Sequence, residues 1–170
     1  LIVLLVIDRS AAEVSVLSAL DGAVLEQVTV GHATAGSGSA CALLGDVTND
    51  DVEDFAVGAP HCRGMGAVFI IDGRTMLIAK RLSGQCEDER FGWFVSSEST
   101  VSAVPGKRMA VASRRGVYVF STAGWTVETI VPYCGETAAW IPDQDGDAES
   151  DLIIGKGVTA CLSSNRWFDG

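Results

Sequence analysis

Two nine-residue stretches carry the side chains best placed to do chemistry. In the first, Asp46, Thr48, Asp50 and Asp54 stand at positions 1, 3, 5 and 9. In the second, Asp143, Asp145, Asp147 and Asp151 stand at the same positions. Oxygen side chains at alternate positions of a tight loop converge on one point, and Ca²⁺ takes roughly six to eight oxygens there. Position 7 is Val52 or Glu149, and it would offer its backbone carbonyl. The acid at position 9 can bind through both oxygens. The spacing therefore predicts two Ca²⁺ sites. Without a cation, close carboxylates repel one another, and the loop is predicted to be loose or partly protonated. An EF-hand wants Gly at position 6 and Glu at position 12. Here those places hold Asp51 or Ala148, and Val57 or Ile154. Mg²⁺ fits less well, because it prefers a small rigid octahedron. The plain alternative is an acidic turn solvated by water.

Other chemistry is sparse, and no enzyme is predicted. His32 and His61 lie in Gly-rich loops of different segments and read as surface loop residues. The sequence holds no G-x-S-x-G elbow, P-loop or H-E-x-x-H. Gly36 to Cys41 is Gly-rich but lacks dinucleotide-binding spacing. Five cysteines show no C-x-x-C spacing, which argues against zinc and suits disulfides in an oxidising compartment. Cys62–Cys86 and Cys134–Cys161 are the expected pairs, with Cys41 left over. The spacing leaves other pairings, or five free thiols, open.

The formal net charge is −10, which argues against a nucleic-acid partner. Five acids lie between Asp46 and Asp54 and five between Asp143 and Asp151; without those ten, acids and bases balance. The acidity belongs to two loops and not to the surface at large. No apolar run reaches the roughly 20 residues of a membrane helix. The opening run Leu1 to Ile7 reads as a buried strand. A chain that begins inside a strand looks like the product of processing or part of a longer protein.

The elements that position the acids repeat along the chain. Each acidic stretch runs into a short apolar strand capped by Gly: Phe55 to Gly58, and Leu152 to Gly155. Between them stands an eroded copy, where Thr100, Ser102, Val104 and Arg108 replace the ligands ahead of Met109 to Ser113. Lys107, Arg108, Arg114 and Arg115 are expected to cluster there. Arg108 either stands in for the ion by bonding loop carbonyls or belongs to an exposed basic turn. Leu1-Ile2-Val3 fits a further copy. Next come Gly66 to Gly73, Gly116 to Ser121, Glu13 to Leu17 and Gly157 to Cys161, then strands at Met76 to Leu82, Val24 to Val30 and Thr126 to Val131. Phe91 to Val95, Ala138 to Trp140 and Ser39 to Cys41 close the units. Ser10 to Leu20 reads as strand and not helix, because of its β-branched residues and its place in the repeat. The units run roughly 1–45, 46–97, 98–142 and 143–170. A period of roughly 43 to 54 residues with about four short strands is that of a β-propeller blade. The fold class is all-β, in roughly three and a half units of one propeller segment. Trp93, Trp125, Trp140 and Trp167 are expected in core and inter-blade packing, or stacked on sugar where exposed.

These residues resemble FG-GAP repeats, the blade unit of the integrin α-subunit propeller and of many secreted bacterial proteins. The Phe-Gly element is Phe91-Gly92 and the Gly-Ala-Pro element is Gly58-Ala59-Pro60. The segment Gly45 to Pro60 is a close match. The second acidic loop keeps the calcium part but has Gly155-Lys156-Gly157 in place of Gly-Ala-Pro. The resemblance implies calcium loops between the first two strands of a blade, an extracellular or cell-surface setting, and a role in adhesion, assembly or carbohydrate contact. It implies calcium-ligand roles for Asp46, Thr48, Asp50, Val52 and Asp54, and for Asp143, Asp145, Asp147, Glu149 and Asp151. Such propellers usually close with about seven blades, so the chain is expected to be a piece of a longer propeller or to complete its sheets with other copies. Two rival roles stay open. One is a self-assembling filament or surface-layer subunit, and the other is an accessory domain of a secreted hydrolase or lyase.

Overall fold

The computed structural model describes residues 3–8, 13–30, 40–98, 108–132, 137–156 and 159–162. Four antiparallel sheets follow one another along the chain. The first is β1 (Val3–Asp8), β2 (Glu13–Ser18) and β3 (Val24–Thr29). The second is β4 (Ala40–Gly45), β5 (Asp54–Ala59), β6 (Ala67–Ile71) and β7 (Ile78–Ser83). The third is β8 (Phe94–Ser97), β9 (Arg108–Ser113), β10 (Gly116–Ser121) and β11 (Thr126–Val131). The fourth is β12 (Thr137–Ile141), β13 (Asp151–Lys156) and β14 (Thr159–Leu162). Neighbours in each sheet are sequential strands, and β8 lies between β4 and β12 where the sheets meet. This is a stack of propeller blades. Each complete sheet begins one strand ahead of the apolar strand that follows the acidic loop. The sheets are therefore phased one strand earlier than the sequence repeat.

Period-2 alternation builds the stack, because successive side chains on a strand leave opposite faces. Phe55, Val57, Ala67, Phe69 and Ile71 pack against Val14 of the first sheet and Val30 just after its last strand. Their neighbours Ala56, Val68 and Ile70 face the other way, onto Met109, Val111, Tyr118 and Phe120 of the third. Ala110, Ala112, Val117 and Val119 then meet Ala138, Trp140, Leu152 and Ile154 of the fourth. Central strands buried on both faces carry near-continuous apolar runs for this reason.

Two details mark the sheets as copies of one unit. The register between the second and third strands of the repeat slips at Val16/Leu17, Ile70/Ile71 and Val119/Phe120, after the fourth residue of β2, β6 and β10. The turn that follows is closed by an N–H from Gly22, Met76 or Trp125 to the carbonyl four residues back. All three residues have positive φ. β3 and β11 start at Val24 and Thr126 as the apolar pattern suggests, whereas β7 begins at Ile78 and not at Met76.

The Phe-Gly and Gly-Ala-Pro elements touch. A Cβ on Gly58 would meet the Gly92 carbonyl oxygen at 2.1 Å. The connector from Gly84 to Trp93 is wedged between two turns. The Phe91 and Gly92 N–H groups donate to the Met65 and Ala112 carbonyls at 3.0 and 3.1 Å, and the Phe91 ring packs edge-on against Tyr118 and Phe120.

Two expectations are corrected. Cys62 and Cys86 are free thiols. Cys62 is buried beside the Arg81 guanidinium, whereas Cys86 is exposed and faces Arg115. The basic cluster is also split: Arg108 opens β9, while Arg114 and Arg115 lie in the turn beyond its far end, about 20 Å away along an extended strand. Arg114 pairs with Asp88. Thr100, Ser102, Val104, Lys107, Cys134, Trp167, Leu1, Ile2 and residues 31–39, His32 among them, lie outside the described residues, as does the side chain of Cys161.

Candidate metal centre

The acidic loops join the first and second strands of their sheets, β4 to β5 and β12 to β13. Their backbones share one shape. Positions 4 and 6 have positive φ in both: Asn49 (61°) and Asp51 (66°) in the first, Gly146 (88°) and Ala148 (68°) in the second. Asn, Asp and Gly enter that region most readily. The position 1 carboxylate ties each turn. Asp46 accepts the N–H groups of Asp50 at 3.0 Å and Asp51 at 2.8 Å. Asp143 accepts those of Asp145, Gly146 and Ala148 at 3.1, 2.7 and 2.8 Å. These backbone bonds hold both carboxyls below the usual carboxylate range, led by the N–H of Asp50 for Asp46 and of Gly146 for Asp143. The loops are thus tied by their own amides, and at position 1 the expected partial protonation is replaced by a shift the other way. Position 5 accepts from position 7 in each: Val52 N–H to Asp50 and Glu149 N–H to Asp147, at 2.9 and 2.8 Å.

The loops then diverge. In 143–151, oxygens of Asp143, Asp145 and Asp151 all lie within 4.8 Å of one another. Oxygens bound to Ca²⁺ at about 2.4 Å can be no farther apart than about 4.8 Å, and these three carboxylates stay within that limit. Asp151 is 4% exposed and accepts the Gln144 N–H at 2.7 Å; Asp143, Asp145, Asp147 and Glu149 are exposed. In 46–54 no such trio of acids forms among the described residues. Asp54 is fully buried and accepts the N–H groups of Val47, Thr48 and Gly73 at 2.8, 2.9 and 2.9 Å, with the Thr48 hydroxyl at 3.4 Å. Arg74, in the turn after β6, donates its Nε to the Asp50 carboxylate at 3.2 Å and another N–H to the Asp50 carbonyl.

Arg108 does not stay within its own repeat. It forms a two-pronged pair with Glu98 at 3.1 and 2.9 Å. It also reaches the second acidic loop, at Glu149 (3.2 Å) and the Ser150 carbonyl (3.1 Å). Its guanidinium lies over the Trp140 ring, 4.9 Å from the centroid, and the Trp140 indole donates to the Ser96 carbonyl at 3.3 Å. The bond to Glu98 leads the factors that keep Arg108 charged. Trp125 packs half-buried against the core, whereas Trp93 is 43% exposed beneath Arg90. His61 is exposed.

Sequence reasoning missed Arg74, Glu89 and Glu98. Arg74 follows Asp72-Gly73 in a turn whose contact with the loop has no sequence signal. Glu89 lines a cleft of about 200 Å³ with Leu82, Phe91, Tyr118 and Phe120. There it accepts the Tyr118 hydroxyl at 2.6 Å and the Gln85 and Cys86 N–H groups at 2.6 and 3.0 Å.

No family model and no curated protein matches the chain. Among solved structures, it is similar to BBS1N from a crystal of its complex with ARL6DN, at TM-score 0.62 and 11% identity, over 92% of this chain and 45% of that one. It is similar also to Saccharomyces cerevisiae Sqt1, at TM-score 0.59 and 11% identity, over 86% of this chain and 36% of that one. Both are β-propellers, and so is the fold of this chain. The chain spans less than half the length of either.

Proposed function

We propose that this chain is a calcium-binding segment of an FG-GAP-type propeller that serves extracellular adhesion or assembly. The observation that carries the reading is the convergence of Asp143, Asp145 and Asp151 within 4.8 Å, in a loop whose backbone is repeated at 46–54. Asp147 and the Glu149 carbonyl would complete the second set, and Asp46, Thr48, Asp50, the Val52 carbonyl and Asp54 the first. The ion's role is structural: it offsets carboxylate charge and fixes the turn between two strands. The Phe-Gly and Gly-Ala-Pro motifs supply the family reading and, through it, the extracellular setting.

A second reading is a self-assembling structural subunit. It is favoured by the apolar side chains on the outer strands, where Val24, Leu25, Ile78, Val127 and Ile130 are 42–56% exposed. Scattered exposed apolar residues are ordinary, whereas rows of them on edge strands invite pairing.

A thermal melt and a sizing run, in millimolar Ca²⁺ and in chelator, test both readings. Calcium binding predicts a rise in Tm that saturates with calcium. A calcium-dependent change in assembly size moves the subunit reading ahead. Identical melts in calcium and chelator would reduce both nonapeptides to acidic turns.

A further inference from the structure

We infer that the end of the sheets opposite the acidic loops is a docking surface for a short acidic peptide of a partner protein, built from Arg63, Arg90, Arg114 and Arg115 around Trp93. The inference does not depend on calcium and goes beyond the reading above. Antiparallel strands carry successive connections to alternate ends of a sheet. The acidic loops lead into β5 and β13, so the β5–β6 turn, the connector 84–93 and the β9–β10 turn lie at the other end. Arg63 comes from the first, Arg90 and Trp93 from the connector, and Arg114 and Arg115 from the last.

Backbone bonds draw these three segments together. The Asp88 N–H donates to the Gly64 carbonyl at 2.7 Å, and the Arg114 N–H to the Glu89 carbonyl at 2.8 Å. The Asp88 carboxylate then takes both Arg90, at 3.4 Å, and Arg114. One carboxylate shared by two guanidinium groups leaves positive charge over. Arg63 and Arg115 are exposed, and Arg115 donates to Cys86 Sγ at 2.8 Å. Glu89 is buried, so the four arginines meet two exposed acids of the connector, Glu87 and Asp88. The chain as a whole has net charge −10, with its excess acids in the loops at the far end. The arginine end is therefore the one that draws an anion.

Trp93 adds apolar area: it is 43% exposed, with the Arg90 guanidinium 5.7 Å from its ring centroid. Trp and Arg are the residues most enriched at binding hot spots, and guanidinium groups take carboxylates by two parallel bonds. Arg63, Asp88 and Arg90 all have positive φ, at 51°, 56° and 55°. Residues other than Gly held in that region cost conformational energy, and they cluster where ligands are gripped. The patch suits a short acidic segment. A nucleic acid would run on from it over the negative remainder of the chain, and a second copy would bring its own −10.

Fluorescence anisotropy tests this in chelator, with a fluorescein-labelled Glu-Asp-Leu-Glu-Asp-Leu peptide and its uncharged Gln-Asn-Leu-Gln-Asn-Leu counterpart. The acidic peptide is expected to bind, more weakly as salt rises, and the uncharged one not to bind. Trp93→Ala is expected to weaken binding by about tenfold or more. Arg63→Asp and Arg115→Glu are each expected to weaken it by about fivefold. Asp at position 63 keeps a residue that enters positive φ readily. Lys80→Glu makes the same change of charge at an exposed position on the outer strand β7, and is expected to leave binding unchanged. Circular dichroism checks that each variant folds. No binding up to about 1 mM peptide, or equal weakening by Lys80→Glu and Arg63→Asp, would overturn the inference. So would a DNA duplex that binds as tightly as the peptide, or self-association that the peptide reverses, since the occupant would then be nucleic acid or a second copy. Each of these outcomes leaves the calcium reading standing, because calcium is absent throughout.

Discussion

Glu89 and Tyr118 show how one buried pair carries a pH dependence. Glu89 is 2% exposed and Tyr118 is 4% exposed. Burial pushes the Glu89 carboxyl up, but the bonds from Tyr118, Gln85 and Cys86 together outweigh it and hold the group below its ordinary value of 4.5. Burial, and then the bond to Glu89, push the Tyr118 phenol up to about 12. The two signs give two windows. Glu89 binds protons more weakly folded than unfolded, so its contribution is present above the unfolded value and is lost as pH falls. Tyr118 binds its proton more tightly folded. Its contribution is full below about 10 and is lost as pH rises toward about 12. Tyr118→Phe removes the donor and leaves a buried carboxylate oxygen short of a partner. The expected loss at neutral pH is about 1–3 kcal/mol. Urea unfolding at pH 7, 10 and 12 checks it: the gap between the two proteins should shrink across the alkaline window. A constant gap would mean that the hydroxyl contributes through packing alone.

At the scale of the element, the two glycine motifs are one contact. Gly58 lies in β5 with ordinary backbone angles, and its small size matters because the Gly92 carbonyl sits where a Cβ would go. Gly58→Ala is expected to cost about 3 kcal/mol, the upper end for overpacking, because backbone and not a flexible side chain must move. Gly22 makes the contrast. It has φ +72° and nothing within 4 Å of a Cβ, so Gly22→Ala is expected to cost about 1 kcal/mol from backbone conformation alone. Denaturant midpoints of both variants check the order, and equal costs would mean that the blade relaxes around Gly58. Strand identity at this scale was legible from alternation. Ser10 to Leu20 does hold a strand, Glu13–Ser18, as its β-branched spacing predicts. The start of β7 was less legible, because Met76 takes positive φ in a turn, which apolar pattern cannot reveal.

At the scale of the whole molecule, Arg108 joins the third sheet to the fourth. Its side chain is 21% exposed and that of Glu98 is 7% exposed, so the pair is shielded from water and salt. Arg108→Met keeps an unbranched chain against Trp140 but leaves the Glu98 carboxylate without this partner. The expected cost is about 2–3 kcal/mol, below that of breaking a fully buried pair. Glu149 is 59% exposed, and Glu149→Gln is expected to cost less than about 1 kcal/mol. Thermal melts in chelator compare the two. A Glu149→Gln loss as large as that of Arg108→Met would shift the weight of the joint from Glu98 to the acidic loop.

The all-β repeat, the strands and the acid spacing can be read from the chain residue by residue, because they follow from alternation and from local order. The same local order placed Gly58 and Gly92 in recognisable motifs. What the repeated acids meet depends on how distant turns fold onto them. Arg74 reaches Asp50 of the first loop from the turn after β6, and Gly73 donates to Asp54 from there. Arg108 was legible as an oddity in an eroded loop. Its partners were not, because Glu149 and Trp140 belong to the next sheet and meet it only when the sheets stack. The thiols differ for the same reason: spacing allows a Cys62–Cys86 bridge, but the fold buries one beside Arg81 and turns the other toward solvent and Arg115.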